Sequence, residues 1–373
     1  MTSRERIKKA LNFKKPDKVP IDFGGTIVTC LDIEAHENLL KHFDLKGEAG
    51  PVIDYTMGTV EPVEELKSIF GADTMRVGLN VIEPKIKSNV FEDGFGIGFK
   101  KAEPHEYFDV IFNPLKDAGI TDLKTMKLPD PDKEELYKGL KEKARDLYLN
   151  TEYALAADFG VPGFYETSQK LRGYEDLACD LLLDTDFVRA LYDKLLELQK
   201  RWFKNYLECV GEFVEVIGYA DDLGMQDRPQ ISPDVYRAII KPYHKETFSF
   251  IHKQADVKIL MHSCGAIEPL IEDLIDAGVD VLNPLQTKAK GMELDVLIRK
   301  YGGRVAFWGG LDEQEILPFG TKEEIEDEVK RLMKTMGKNG GYVFGPGHNI
   351  QADTNPESVI AMYEAAKCYQ VID

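Results

Sequence analysis

The sequence predicts a (β/α)8 TIM barrel, α/β in class, with a hairpin-containing insertion in its N-terminal third. Three observations point there. Short β-rich runs, eight in all, alternate with stretches of helical period. No glycine-rich dinucleotide or Walker loop follows any of them, which disfavours a doubly wound open sheet. The 373 residues, 43% hydrophobic and 30% charged, form a globular core-former of a length that one such barrel can absorb.

The runs are 19–24, 72–78, 153–159, 213–219, 257–262, 279–283, 304–309 and 341–345. Asp256–His262 is an apolar run of strand length. After it, Ile267, Leu270, Ile271, Leu274 and Ile275 repeat at helical spacing until Ala277-Gly278. Downstream of Arg304–Trp308, Thr321 and Glu324 make a capping box. Its helix has the stripe Ile325, Val329, Leu332, Met333, Met336. Asn355-Pro356 opens the last helix. Ser232-Pro233 opens another, with proline in the first turn. Between the second and third runs, residues 82–113 read as a hairpin: Ile86–Val90, a turn at 92–96, then Ile97–Lys101. The expectation is one domain, 1–373, with 82–113 inserted at the barrel mouth.

Composition excludes several functions. The 65 acidic against 47 basic residues give a formal charge of −18, wrong for sequence-independent nucleic-acid binding. No apolar run approaches the ~20 residues of a membrane span, and the first residues lack a signal peptide's apolar stretch. Five cysteines are few and odd in number, which argues against a disulfide framework and for a reducing cytoplasm.

A barrel's chemistry sits where strands end and βα loops begin. His262 and Cys264 end the fifth run; at i and i+2 in extended chain they face one side, an imidazole and a thiol able to hold one zinc. His348, after the eighth run, is the third ligand candidate. Cys30 is a reserve ligand or an inert small residue; Cys179, Cys209 and Cys368 read as structural. A hydrogen-bonded histidine beside a buried cysteine is the plain alternative. Asp221 and Asp222, with Gln226, follow the fourth run and are candidates for proton handling and substrate orientation, against the plainer reading of a capped, solvated turn. Asn283, Gln286, Asp312 and Gln351 lie at further strand ends as substrate-binding candidates.

Met261-His-Ser-Cys-Gly265, Val281-Leu-Asn-Pro-Leu-Gln286, Phe307-Trp-Gly-Gly-Leu-Asp312 and Gly345-Pro-Gly-His-Asn-Ile-Gln-Ala-Asp353 resemble the uroporphyrinogen-decarboxylase superfamily, as does the opening 4–20. The resemblance covers nearly the whole chain and implies a (β/α)8 barrel. True decarboxylases of this group use no metal, and carry an Arg-Gln-Ala-Gly-Arg stretch that binds an eight-carboxylate porphyrinogen. Here Ile21-Asp-Phe-Gly-Gly-Thr-Ile27 has no arginine. The resemblance is therefore closer to the cobalamin-linked methyltransferases: coenzyme M methyltransferases and demethylating enzymes. The coenzyme M enzymes bind zinc through His-x-Cys and a distant Cys; this chain has His348 at the distant place.

The resemblance implies a zinc-dependent transfer of methyl between a small methoxy, methylamine or methylthiol compound and a corrinoid. The corrinoid rides on a separate partner protein, since no Asp-x-His-x-x-Gly cobalamin loop is present. A homodimer is a candidate assembly. The alternatives are a cofactor-independent decarboxylase using Asp222, and a non-catalytic binding barrel.

Overall fold

The computed structural model describes residues 1–46, 50–102 and 107–370. Seven strands form one parallel sheet, each beside its predecessor: Thr74–Val77, Ala154–Ala157, Val216–Ala220, Lys258–His262, Val281–Asn283, Ala306–Trp308 and Tyr342–Val343. They lie in seven of the eight expected runs, extending the 213–219 run by one residue.

The first run, 19–24, is reduced to a bridge. Phe344 N–H donates to Pro20 O (2.8 Å), Asp22 N–H to Phe344 O (2.7 Å) and Asp73 N–H to Ile21 O (2.7 Å). Residues 20–22 thus join the two outer strands, and the sheet curls into a TIM-barrel-like α/β fold. The run stops early because Asp22 Oδ1 accepts the N–H of Gly25 at 2.8 Å, and Gly24 takes φ 69°, a left-handed turn outside strand geometry.

The helices follow their stripes. Leu270, Ile271 and Leu274 are buried in Glu268–Ala277, which ends at Gly278 with φ 113°. Thr321 and Glu324 cap Lys322–Met336, and Asn355 caps Pro356–Cys368. After Ser232 the expected single helix is instead Pro233–Val235, a π turn Tyr236–Ile240, then Lys241–Gln254. Pro242 has no N–H to close the regular i→i−4 bond, so the preceding turn widens.

Ala154, Ala156, Val216, Leu260, Val281, Ala306, Trp308 and Val343 pack together inside the barrel, with Ile7 and Leu11 of helix Ser3–Leu11 against them. That helix closes the N-terminal ends of the strands, where Arg4 N–H donates to Glu152 O (2.9 Å) and Gly341 N–H to Ala10 O (2.7 Å). A larger apolar layer fills the space between sheet and outer helices. The C-terminal strand ends stay open for chemistry.

Val90–Glu92, Gly98–Lys101 and Phe108–Phe112 form an antiparallel meander. The expected first strand, Ile86–Val90, is displaced: Ser88 and Asn89 take φ 52° and 62°, and Lys87 pairs back onto Val90. Residues 86–89 are therefore a turn. Residues 103–106 of the expected insertion lie outside the described ones. A second small sheet, from Leu31–Asp32, Val52–Asp54 and Thr59–Val60, has strands too short to leave a period in the sequence. Among the described residues, no helix is long and apolar enough to cross a membrane. All five cysteines are free thiols.

Candidate functional site

His262 is the last residue of its strand, and the loop after it is pinned from two sides. Ser263 N–H donates to Asn283 O (2.8 Å), and Ser263 Oγ accepts from Leu223 N–H (2.9 Å). Cys264 N–H donates to Asp222 Oδ1 (2.9 Å), and Gly265 N–H to Gln286 Oε1 (2.6 Å). Gly265 has φ 87°, and a Cβ there would stand 2.6 Å from Met225 O, so the chain can pass only as glycine. This bracing holds Cys264 Sγ 3.4 Å from His262 Nε2.

His348 arrives from the loop after the last strand, where Gly347 N–H donates to Leu311 O (2.8 Å). Its ring centroid lies 5.2 Å from that of His262. One ligand atom from each of His262, Cys264 and His348 lies within 4.8 Å of the other two. A tetrahedral zinc bound at ~2.0 Å to nitrogen and ~2.3 Å to sulfur needs a nitrogen–sulfur edge of about 3.5 Å. The Cys264–His262 separation fits that edge. Cys30 is not in this cluster; it is buried beside Arg76, Glu61 and Lys67.

Each histidine is oriented by an asparagine. His262 Nδ1 pairs with Asn283 Oδ1 at 2.6 Å, and His348 Nδ1 pairs with Asn349 Oδ1. Burial and the neighbouring His262 push His348 down to about 3, which keeps it a neutral imidazole and a ready ligand. Burial, then the carboxylates of Asp222, Glu313 and Glu166, push the Cys264 thiol well up. A dication at the triad would reverse that effect and stabilise the thiolate.

The other sequence candidates fall in different places. Asp222, 38% exposed at its side chain, has Oδ1 3.9 Å from His262 Nε2. Asp221 is wholly buried and turned away. It accepts from Tyr165 N–H (3.0 Å) and Glu166 N–H (2.7 Å), and its Oδ2 lies 3.0 Å from His244 Nε2. It anchors the start of helix Tyr165–Arg172. Asp312 Oδ1 accepts from Glu315 N–H and Ile316 N–H, capping a short helix. Gln286 Nε2 donates to Gln226 Oε1 (3.2 Å), and Gln351 Nε2 to Asn349 O (2.9 Å).

Gln226, Cys264, Gln286, His348 and Gln351 share one cavity of about 330 Å³. Met57, Tyr107, Met225 and Glu313 also line it and were not singled out from sequence. Glu313 stands one residue past Asp312, where the strand-end reading stopped. Met57 and Tyr107 come from loops whose meeting is tertiary: Phe108 N–H donates to Thr56 O at 3.0 Å. Burial and the adjacent Asp312 push the Glu313 carboxyl up to about 7.

Deeper in, Arg76 is spent on carboxylates. It pairs with Asp158 and, through Nη1, with Glu61 at 3.3 Å, while Lys67 Nζ lies 3.0 Å from Glu61.

The profile of the Uroporphyrinogen decarboxylase (URO-D) family matches residues 118–369. A uroporphyrinogen decarboxylase of Chlorobium chlorochromatii is 29% identical over 143 residues, 37% of this chain and only 38% of that protein. One from Pseudomonas fluorescens is 22% identical over 312 residues, covering 82% and 81% of the two chains. Among solved structures, a methyltransferase from Methanosarcina mazei superposes with TM-score 0.66 at 19% identity, over 99% of both chains. That last likeness is one of fold.

Proposed function

The chain belongs to the uroporphyrinogen decarboxylase family, and from that premise we propose that it is a metal-dependent methyltransferase: it moves a methyl group between a small methylated compound and the corrinoid of a separate protein. The observation that carries the reading is the His262–Cys264–His348 cluster, whose spacing suits zinc at the open end of the barrel. The structural likeness to a methyltransferase supports it. So does the state of Arg76, a buried guanidinium already engaged by the carboxylates of Asp158 and Glu61 and so not free to receive a polycarboxylate.

Zinc held by the three side chains would supply Lewis acidity toward a poor leaving group, or keep a thiol as thiolate. The chain's own residues do the rest. Asn283 and Asn349 fix the two imidazoles. Asp222 holds the Cys264 loop and faces the ring of His262, placed to orient substrate or take a proton. Gln226, Gln286 and Gln351 offer amides to the cavity. Asp221 keeps a supporting role. We take 1–373 as one barrel domain with 82–113 at its mouth, in the cytoplasm.

The test has two arms. Metal analysis of protein prepared under reducing, anaerobic conditions should find one zinc per chain. A Co(I) corrinoid, free or protein-bound, offered with methoxyaromatics, methylamines and methylthiols, should become methylated. Metal-free protein that takes up no zinc, together with decarboxylation of uroporphyrinogen, would instead support the reaction named for the relatives.

A further inference from the structure

The cavity beside the triad has an unusual charge inventory. Among the described residues, no lysine or arginine lines it. Three carboxylates act on the Cys264 thiol: Asp222, Glu313 and Glu166. Two of them are engaged. Asp222 accepts the Cys264 N–H, and Glu166 pairs with Lys170 at 2.6 Å. Glu313 has no cationic partner among the described residues. Its carboxylate lies where a side chain on Gly347 would go: a Cβ there would be 2.0 Å from Oε2. The chain thus leaves room at residue 347 for an acid that answers no charge of its own.

Loading the triad does not cancel the excess. Two neutral imidazoles, one thiolate and a dication sum to +1; Asp222 cancels that, and Glu313, its carboxyl pushed up to about 7 by burial and Asp312, takes the total to −1 in its ionised form, which a neighbouring cation favours. Beside the uncharged amides of Gln226, Gln286, Gln314 and Gln351, the walls offer soft groups: the thioethers of Met57 and Met225 and the ring of Tyr107. Thioethers and an aromatic face suit methyl groups on a positive centre better than they suit an anion.

We propose that the ligand of this cavity is a small organic cation carrying N-methyl or S-methyl groups, its charge set against Glu313 and its methyl groups against Met57, Met225 and Tyr107. The volume of about 330 Å³ admits only a small molecule. This deepens the methyltransferase reading and rests on it for the fate of the ligand. A methyl leaving a cationic nitrogen departs with the C–N electron pair left on a neutral amine, while the Co(I) electron pair forms the new bond to carbon. Atoms and charge balance without a further reactant.

The experiment is calorimetric, on zinc-loaded protein. Choline is compared with 3,3-dimethylbutan-1-ol, which replaces the quaternary nitrogen by carbon at nearly the same shape, and with 4-methoxybenzoate as anion. We expect choline to bind at least tenfold more tightly than the alcohol, and the anion more weakly than either. Glu313→Gln should erase the preference while circular dichroism shows an unchanged fold. Equal binding of choline and the alcohol by the unmodified protein, no binding of choline, or a preference for the anion overturns the proposal, whatever the variant does. The corrinoid assay separates this from the reaction. Charge preference without methylcorrinoid from any N-methyl or S-methyl cation, methoxyarene or methylthiol sinks the methyltransferase reading alone. Methylcorrinoid from a neutral methoxyarene, with no charge preference, sinks the cation proposal alone.

Discussion

Asn283 Oδ1 accepts a hydrogen bond from His262 Nδ1–H at 2.6 Å, because Asn283 Nδ2 is committed as donor to Trp308 O at 3.1 Å. A carbonyl can only accept, so the amide's orientation is determined, and with it the tautomer of the imidazole. The unprotonated Nε2 is the atom beside Cys264. Asn283 therefore acts on the candidate metal through His262 and not by touching substrate. Asn283→Ala should weaken zinc binding by roughly tenfold to a hundredfold, the usual cost of losing a ligand's orienting partner. Competition with a chromophoric chelator measures this, and an unchanged affinity refutes the assigned tautomer.

Metal uptake should be coupled to protons in a defined direction. The Cys264 thiol is pushed well above its usual range and starts protonated at neutral pH, whereas His348 is already neutral. Zinc binding at pH 7 should therefore release about one proton from Cys264. Affinity should rise with pH, since fewer protons then compete for sulfur. Cys264→Ser should abolish the binding and leave the melting temperature of metal-free protein nearly unchanged. Binding heats in buffers of different ionisation enthalpy count the proton; no buffer dependence contradicts the thiol's role.

The triad was legible because its signals are local. His262 and Cys264 share a side by the period of extended chain, and strand ends point to the mouth of any barrel. What stayed hidden is tertiary. Asp221 and Asp222 are identical neighbours in sequence, yet one turns into the start of a helix and the other toward the imidazole. Met57 and Tyr107 reach the cavity from two loops, distant in sequence, that meet where Phe108 N–H donates to Thr56 O. The strand expected at 86–90 failed on Ser88 and Asn89, two polar residues whose left-handed turn outweighs the flanking apolar pattern.

The ion network under the mouth gives a stability prediction with a definite sign. Burial pushes the Glu61 carboxyl up, but Lys67 and Arg76 outweigh it and hold the group below its usual range. A carboxyl depressed in the fold contributes stability above its unfolded pKa, and loses it as pH falls through the folded one. Glu61→Gln leaves Lys67, 2% exposed, without its partner carboxylate. The loss at pH 7 should be about 3 kcal/mol, the order expected for breaking a buried pair. Below the usual carboxylate range the gap to the unmodified protein should narrow. Urea melts at pH 7 and pH 3 decide it, and a gap that widens in acid is the wrong sign.

The two adjacent aspartates provide the sharpest comparison of structural and chemical roles. Asp221 is fully buried and engages two backbone N–H groups and His244, whose other nitrogen lies 3.0 Å from Tyr236 OH. Asp221→Ala strands those buried groups and should cost about 3 kcal/mol of stability or more. Asp222 is 38% exposed at its side chain, so Asp222→Ala should move the melting temperature by only a degree or two. Its loss falls on the reaction instead. With one hydrogen bond to the Cys264 loop gone and no carboxylate facing His262, turnover should drop by about tenfold or more while zinc content is retained. Asp222→Asn keeps an oxygen for the Cys264 N–H and removes only the charge, so it separates the two contributions. Full activity in Asp222→Asn would leave Asp222 as a loop clamp; activity as low as that of the alanine variant assigns the carboxylate to the chemistry.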